Sequence, residues 1–133
     1  MSEQFQSIVQ DPRIQRIYAA LRDVPLYVVG GAVRDALLSR PVGDIDLTTP
    51  LVPAEIQHRC ETASIRVIPT GLHHQTVALL PCDSLPPIEV TTFRGPGMSP
   101  VGGVIVGSSI EEDLSYRDCT VNAMAFSLSD ETL

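Results

Sequence analysis

The segment YVVGGAVRDALLSRPVGDIDLTTP, residues 27–50, constrains the chain most. Leu26-Tyr27-Val28-Val29 is a short apolar run and reads as a buried strand. Gly30 and Gly31 then turn the chain into a helix over about residues 31–38, with Val33, Ala36 and Leu37 as its packed stripe. Pro41 and Gly43 end that helix, and residues 44–48 alternate polar and apolar side chains, the pattern of a half-buried strand. A strand, a helix and a strand in so few residues require a sheet with helices packed on it.

The rest of the chain extends that plan. Asp11-Pro12 reads as an N-cap with proline in the first turn, and Ile14, Ile17, Tyr18 and Leu21 carry a helix over about 12–22. Pro53 opens a helix to about residue 60, and residues 64–69, 75–80 and 87–93 read as three strands. Residues 94–109, rich in Gly, Pro and Ser, read as a long mobile loop in which GVIVG pairs at most briefly. A capping box, Ser109 with Glu112, starts a helix, and residues 120–128 form a further helix or turn with Val121, Met124 and Ala125 inward. The expected fold is α/β (α+β): a small mixed sheet of about five strands flanked by helices, in one domain.

Charge narrows the function classes. The 133 residues carry a formal net charge of −7 and no lysine, so long-range electrostatics do not favour nucleic acid. No stretch is long and apolar enough to span a membrane. Cys60, Cys82 and Cys119 are far apart, show no metal-ligand spacing, and read as reduced thiols of a cytoplasmic protein.

Three groups of residues bear chemistry. Gly30-Gly31, between a strand and a helix, allow close backbone approach and place free N–H donors where a phosphate can sit; their plainer reading is a tight turn. Asp44 and Asp46, two residues apart on a strand, point to one face, where their repulsion invites a divalent cation; alone they are a solvated strand edge. Glu89, between Ile88 and Val90, completes a three-carboxylate cluster if its strand lies beside theirs, and is otherwise a surface glutamate. Arg117, Asp118 and Asn122 offer partners for phosphate and ribose hydroxyls, or else an exposed helix pair.

Taken together and in this order, GGAVRD, GDIDL, GLHHQTV, EVTTFR and DLSYRDCTVNAMA resemble the head domain of the class II tRNA nucleotidyltransferase (CCA-adding enzyme) and bacterial poly(A) polymerase family, within the polymerase-beta-type nucleotidyltransferases. The resemblance covers about residues 14–128. It implies that Asp44 and Asp46 hold two magnesium ions, with Glu89 assisting catalysis. It further implies that Gly30 and Gly31 bind a triphosphate, with Arg34 as charge partner and Asp35 fixing the loop. Arg117, Asp118 and Asn122 match the family's nucleotide-contacting motif. The implied reaction is in-line attack of an RNA 3′-hydroxyl, that of tRNA above all, on the α-phosphate of CTP or ATP, releasing pyrophosphate.

Departures from the family pattern stand beside the matches. Tyr116 replaces an arginine, Cys119 an aromatic residue and Gln75 a glycine, while residues 95–109 carry no charge. His74 reads as a structural histidine rather than a catalyst. The family continues into a neck, body and tail, so residues 1–133 are expected to be a single head domain lacking them, an excised or truncated piece with little activity on tRNA alone. Two other classes compete: a non-catalytic nucleotide- or metal-binding derivative of the fold, and a small-molecule nucleotidyltransferase. The intact aspartate pair opposes the first, and the GGAVRD and DLSYRDCTVNAMA motifs oppose the second.

Overall fold

In the computed structural model, residues 3–68, 75–98, 104–106 and 125–128 are described. Their element order is α1 (Glu3–Gln10), α2 (Pro12–Ala20), β1 (Tyr27–Val29), α3 (Gly31–Leu37), β2 (Asp46–Thr49), α4 (Pro53–Thr62), β3 (Arg66–Ile68), β4 (Thr76–Leu80), β5 (Ile88–Thr92), β6 (Arg94–Met98), β7 (Val104–Val106) and β8 (Ala125–Ser127). Six strands form one mixed sheet in the order β3-β4-β5-β2-β1-β8. Among the described residues only β2 and β5 run parallel, and every other neighbouring pair of this sheet is antiparallel.

Alternation sets the faces. In β5, Ile88, Val90 and Thr92 are buried while Glu89 is exposed and Thr91 half-exposed. Val28, Leu47, Val77, Leu79, Ile88, Val90 and Phe126 join Ile14, Ile17, Leu21 and Ile56 of the helical segments in one core. The helix α3 packs on β1, and α4 on β3 and β4. The N-cap of α2 forms as its sequence dictates, the Asp11 carboxylate accepting the Arg13 N–H at 2.9 Å with Pro12 in the first turn. Buried threonines close the strand ends: Thr49 Oγ1 donates to the Pro25 carbonyl at 2.9 Å, and Thr92 Oγ1 to that of Leu51 at 2.7 Å.

Several expectations need correction. The helix α1 was not expected; its Phe5 and Ile8, three residues apart, are buried, and Phe5 stacks on Phe126 at 4.7 Å between ring centroids. Among the described residues the main sheet has six strands, in line with the about five expected, and the last described segment pairs with β1 as β8 instead of continuing as helix or turn. Ala125-Phe126-Ser127 buries its aromatic ring against α1, a tertiary contact that outweighs local helix propensity. Residues 94–98 and 104–106 form an antiparallel ribbon where a loop was expected. Leu37, expected inward, is 45% exposed, and Ala32 shares the buried stripe of α3 with Val33 and Ala36. The helix expected after Ser109 lies outside the described residues.

One departure from the family pattern has a backbone consequence. Gln75 stands at φ +61°, in the left-handed region that glycine enters freely, while its carbonyl accepts the Thr92 N–H at 2.9 Å. A side chain costs roughly 1–2 kcal/mol there, and the chain entropy of glycine returns part of that. Gln75→Gly is therefore expected to stabilise the fold by about 0.5–1 kcal/mol, read as a Tm rise of about 3 °C in thermal denaturation.

Candidate active site

The parallel pairing of β2 and β5 builds the site. Its register sets Asp46 opposite Glu89, Leu47 opposite Val90, and Thr48 opposite Thr91. Leu47 and Val90 are wholly buried, so the pleat turns Asp46 and Glu89 to the other face, where both are exposed. The condition set by the sequence is met: the glutamate strand neighbours the aspartate strand. Asp44 is placed differently from expectation. The strand begins at Asp46, so Asp44 lies in the approach to β2 and is also exposed. Ile45, buried between them, anchors that approach in the core.

Asp44, Ile45, Asp46, Pro86, Pro87 and Glu89 line one cleft of about 370 Å³. The proline pair, which sequence reasoning missed, supplies a stiff wall with fixed φ. All three carboxylates offer hard oxygen donors, the chemistry magnesium takes. Two of them are register partners on adjacent strands, where like charges repel and a cation relieves the cost. Among the described residues, no three His, Cys, Asp or Glu side chains are gathered into a ready-made metal cage. The residues thus fit an open site, in which magnesium takes one or two carboxylates and completes its shell with phosphate oxygens and water.

The glycine turn adjoins these acids through β1. Val29, the last residue of β1, is the register partner of Asp46, and the chain passes directly from it into Gly30. Gly30 is the N-cap of α3 at φ +74° and ψ −137°, a conformation that excludes side chains, and its carbonyl accepts the Val33 and Arg34 N–H groups at 3.1 and 3.2 Å. Gly31 begins α3; a Cβ there would come within 3.3 Å of the Arg34 guanidinium. Arg34 Nε donates to the Asp35 carboxylate at 3.2 Å, and the Asp35 carbonyl accepts the Arg40 N–H at 2.8 Å. The Asp35 side chain thus pairs with Arg34, and its carbonyl holds the end of the α3 segment. On the far side of β1, Val29 pairs with Ala125 of β8. Arg117, Asp118 and Asn122 lie outside the described residues, as do His74, Tyr116 and Cys119.

Sequence reasoning also missed Arg13, whose Nη1 donates to the Pro86 carbonyl of the cleft wall at 3.1 Å. No local pattern pairs residues 73 positions apart. The two glycines differ in what they tolerate. Gly30→Ala is expected to lose about 1–3 kcal/mol in denaturant unfolding, because the new side chain cannot adopt the turn. Gly31→Ala is expected to stay near the parent, since the end of the flexible Arg34 side chain can move aside.

The family described as "Poly A polymerase head domain" matches residues 26–133. A CCA-adding enzyme of Bacillus cereus is 40% identical over 109 residues, covering 79% of this chain and 26% of the relative. A related enzyme of Bacillus mycoides is 39% identical over the same length and shares. Among solved structures, the Bacillus stearothermophilus CCA-adding enzyme in complex with CTP superposes with a TM-score of 0.72 at 35% identity, covering 96% of this chain and 29% of that one. A tRNA nucleotidyltransferase complexed with a primer tRNA and an incoming ATP analogue gives a TM-score of 0.60 at 31% identity, covering 85% and 30%. The chain spans about a quarter of the length of the curated relatives it matches. With the acidic cleft and the glycine turn on adjacent strands and these matches across most of its length, the chain belongs to the poly(A) polymerase head domain family of nucleotidyltransferases.

Proposed function

We propose that this chain is the catalytic head of an RNA 3′-end nucleotidyltransferase, taking CTP or ATP and extending a tRNA or similar RNA end. The observation that carries the reading is the sheet register: Asp46 pairs with Glu89 on one side and with Val29, which leads into Gly30-Gly31, on the other. The relatives are CCA-adding enzymes, and two structural neighbours were captured with CTP and with tRNA plus an ATP analogue. No helix among the described residues is long and apolar enough to cross a membrane.

In this reading Asp44 and Asp46 hold the divalent cation, with Glu89 assisting from the adjacent strand. Bound magnesium, two ions by the family resemblance, supplies the positive charge that lets a 3′-hydroxyl attack and a pyrophosphate leave. Gly30 and Gly31 let the triphosphate approach the backbone, where the first turn of α3 has N–H groups without intrahelical acceptors. Arg34 stands one turn further on, oriented by Asp35. Arg117, Asp118 and Asn122 contribute ribose and phosphate contacts. Residues 1–133 make up one head domain, with base choice and most tRNA contacts belonging to the neck, body and tail found in the family.

Calorimetric titration tests the site. CTP binding is expected to tighten by about ten-fold or more when magnesium is added, and Asp46→Asn is expected to remove that gain, since losing a ligand or its orienting partner typically costs 10–100-fold in metal affinity. Labelled CTP incubated with tRNA lacking its 3′ end tests the reaction. Transfer to a small acceptor in place of RNA, or CTP binding that ignores magnesium and survives Asp46→Asn, would overturn the proposal.

A further inference from the structure

Two arginines of α2, one turn apart, hold the loop that walls the acidic cleft. Residues 81–87 join β4 to β5 and end in the proline pair. At the start of the loop, Arg16 Nη1 donates to the Pro81 carbonyl, while its Nη2 reaches those of Ala63 and Ser64 at 3.4 and 3.3 Å. At the end, Arg13 Nη1 donates to the Pro86 carbonyl. Arg13 is itself anchored, its Nε and Nη2 donating to the two carboxylate oxygens of Asp11 at 3.0 and 2.7 Å.

Arg13 is not a solvated surface charge. Its side chain is 13% exposed and that of Asp11 17%. It uses the planar fork of the guanidinium to join a carboxylate and a carbonyl at once, which a lysine point charge cannot reproduce. Burial disfavours the Asp11 carboxylate, but the hydrogen bonds from Arg13 outweigh it and hold the carboxyl below its usual range. The Asp11 hydrogen bonds hold the guanidinium proton more firmly than usual, and a smaller attraction comes from Asp44 at the cleft.

We infer that Arg13 is a positioning residue of the cleft: through the Pro86 carbonyl it fixes the proline wall beside Asp44 and Glu89, so that a metal–nucleotide ligand meets a preset opening. The inference rests on the function proposed above. Arg13 lies ahead of residues 26–133, the span that the family model matches. The sheet order then predicts a split effect. The glycine turn follows β1, on the other side of β2 from β5, and no bond of the clasp reaches it. Losing Arg13 should weaken the metal-dependent part of nucleotide binding and leave the metal-free part alone.

The test compares the 133-residue chain with Arg13→Met, Arg13→Lys and Asp46→Asn, all carrying Cys119→Ser. For Arg13→Met, CTP affinity in magnesium is expected to fall about ten-fold, the scale of lost outer-shell support at metal sites, with metal-free CTP affinity unchanged. Cys82, half-buried within the clasped loop, reports on the wall independently: its alkylation should quicken. Cys60 stays silent, since it is wholly buried and burial pushes its thiol up to about 11. Arg13→Lys keeps the charge and the α2 cap, and remains a test if Arg13→Met does not fold; it should fall between parent and Arg13→Met. Equal losses with and without magnesium would mean a merely structural residue, and unchanged Cys82 alkylation would mean that Arg13 does not hold the wall; either outcome overturns the inference. Magnesium-dependent binding lost in Asp46→Asn but kept in Arg13→Met sinks this inference alone; none in the parent sinks the proposed function with it.

Discussion

The structure turns on one parallel strand pair. Among the described residues β2 and β5 are the only parallel neighbours in the six-stranded sheet, and their register puts Asp46 beside Glu89. Two carboxylates side by side on a sheet are a local cost, since like charges directly opposite destabilise by some tenths of a kcal/mol. The fold accepts that cost because the other face of the same residues is fully committed: Leu47 and Val90 are buried without residue in the core, and a one-residue slip would expose them. Burial of one face therefore enforces acidity on the other. A parallel pair also needs a long crossover, here α4, β3 and β4, and that crossover delivers the loop whose prolines wall the cleft.

How much of this was legible depends on the range of the interactions. Residues 27–50 declared themselves because each signal is local: glycine at φ +74°, a proline-terminated helix, and period-2 alternation into the core. Asp46, Glu89 and Gly30 lie on the strands and the turn that this reading gave them. Asp44 reads as sharing a strand with Asp46, but it precedes β2, because strand ladders stop where partners stop. The α1 helix and β8 were missed for a single reason. Phe5 and Phe126 stabilise each other across most of the chain, and neither segment carries enough local pattern to declare its partner. The ribbon of β6 and β7 was hidden by composition, since Gly- and Pro-rich residues read as loop even when two short pieces can pair.

The clasp of Asp11, Arg13 and Arg16 shows a second kind of invisibility. Asp11-Pro12 announces a helix start, and Arg13 and Arg16 look like the solvated face of an amphipathic helix. Both instead donate to carbonyls of a loop more than sixty residues away in sequence. Carbonyl acceptors leave no trace in the identity of the residue that carries them. Only the third dimension shows that these arginines hold backbone, Arg13 while largely buried and Arg16 while still facing solvent.

The use of arginine also bears on how an acidic chain can handle anionic substrates. There are nine arginines and no lysines against 16 acids. Arg13, Arg34, Arg59 and Arg66 are paired with carboxylates, and Arg16 with carbonyls. Four of these five thus face a carboxylate of the chain itself, while the cleft contributes three exposed carboxylates. A triphosphate approaching that cleft meets a negative field, and so does an RNA end. A bound divalent cation inverts the sign locally and makes the carboxylates an asset. In the proposed function, the same acids that would repel a bare nucleotide recruit its metal complex. Under the proposed function, metal and nucleotide affinity are then linked rather than additive, with the cation as the common ligand of the carboxylates and the phosphates.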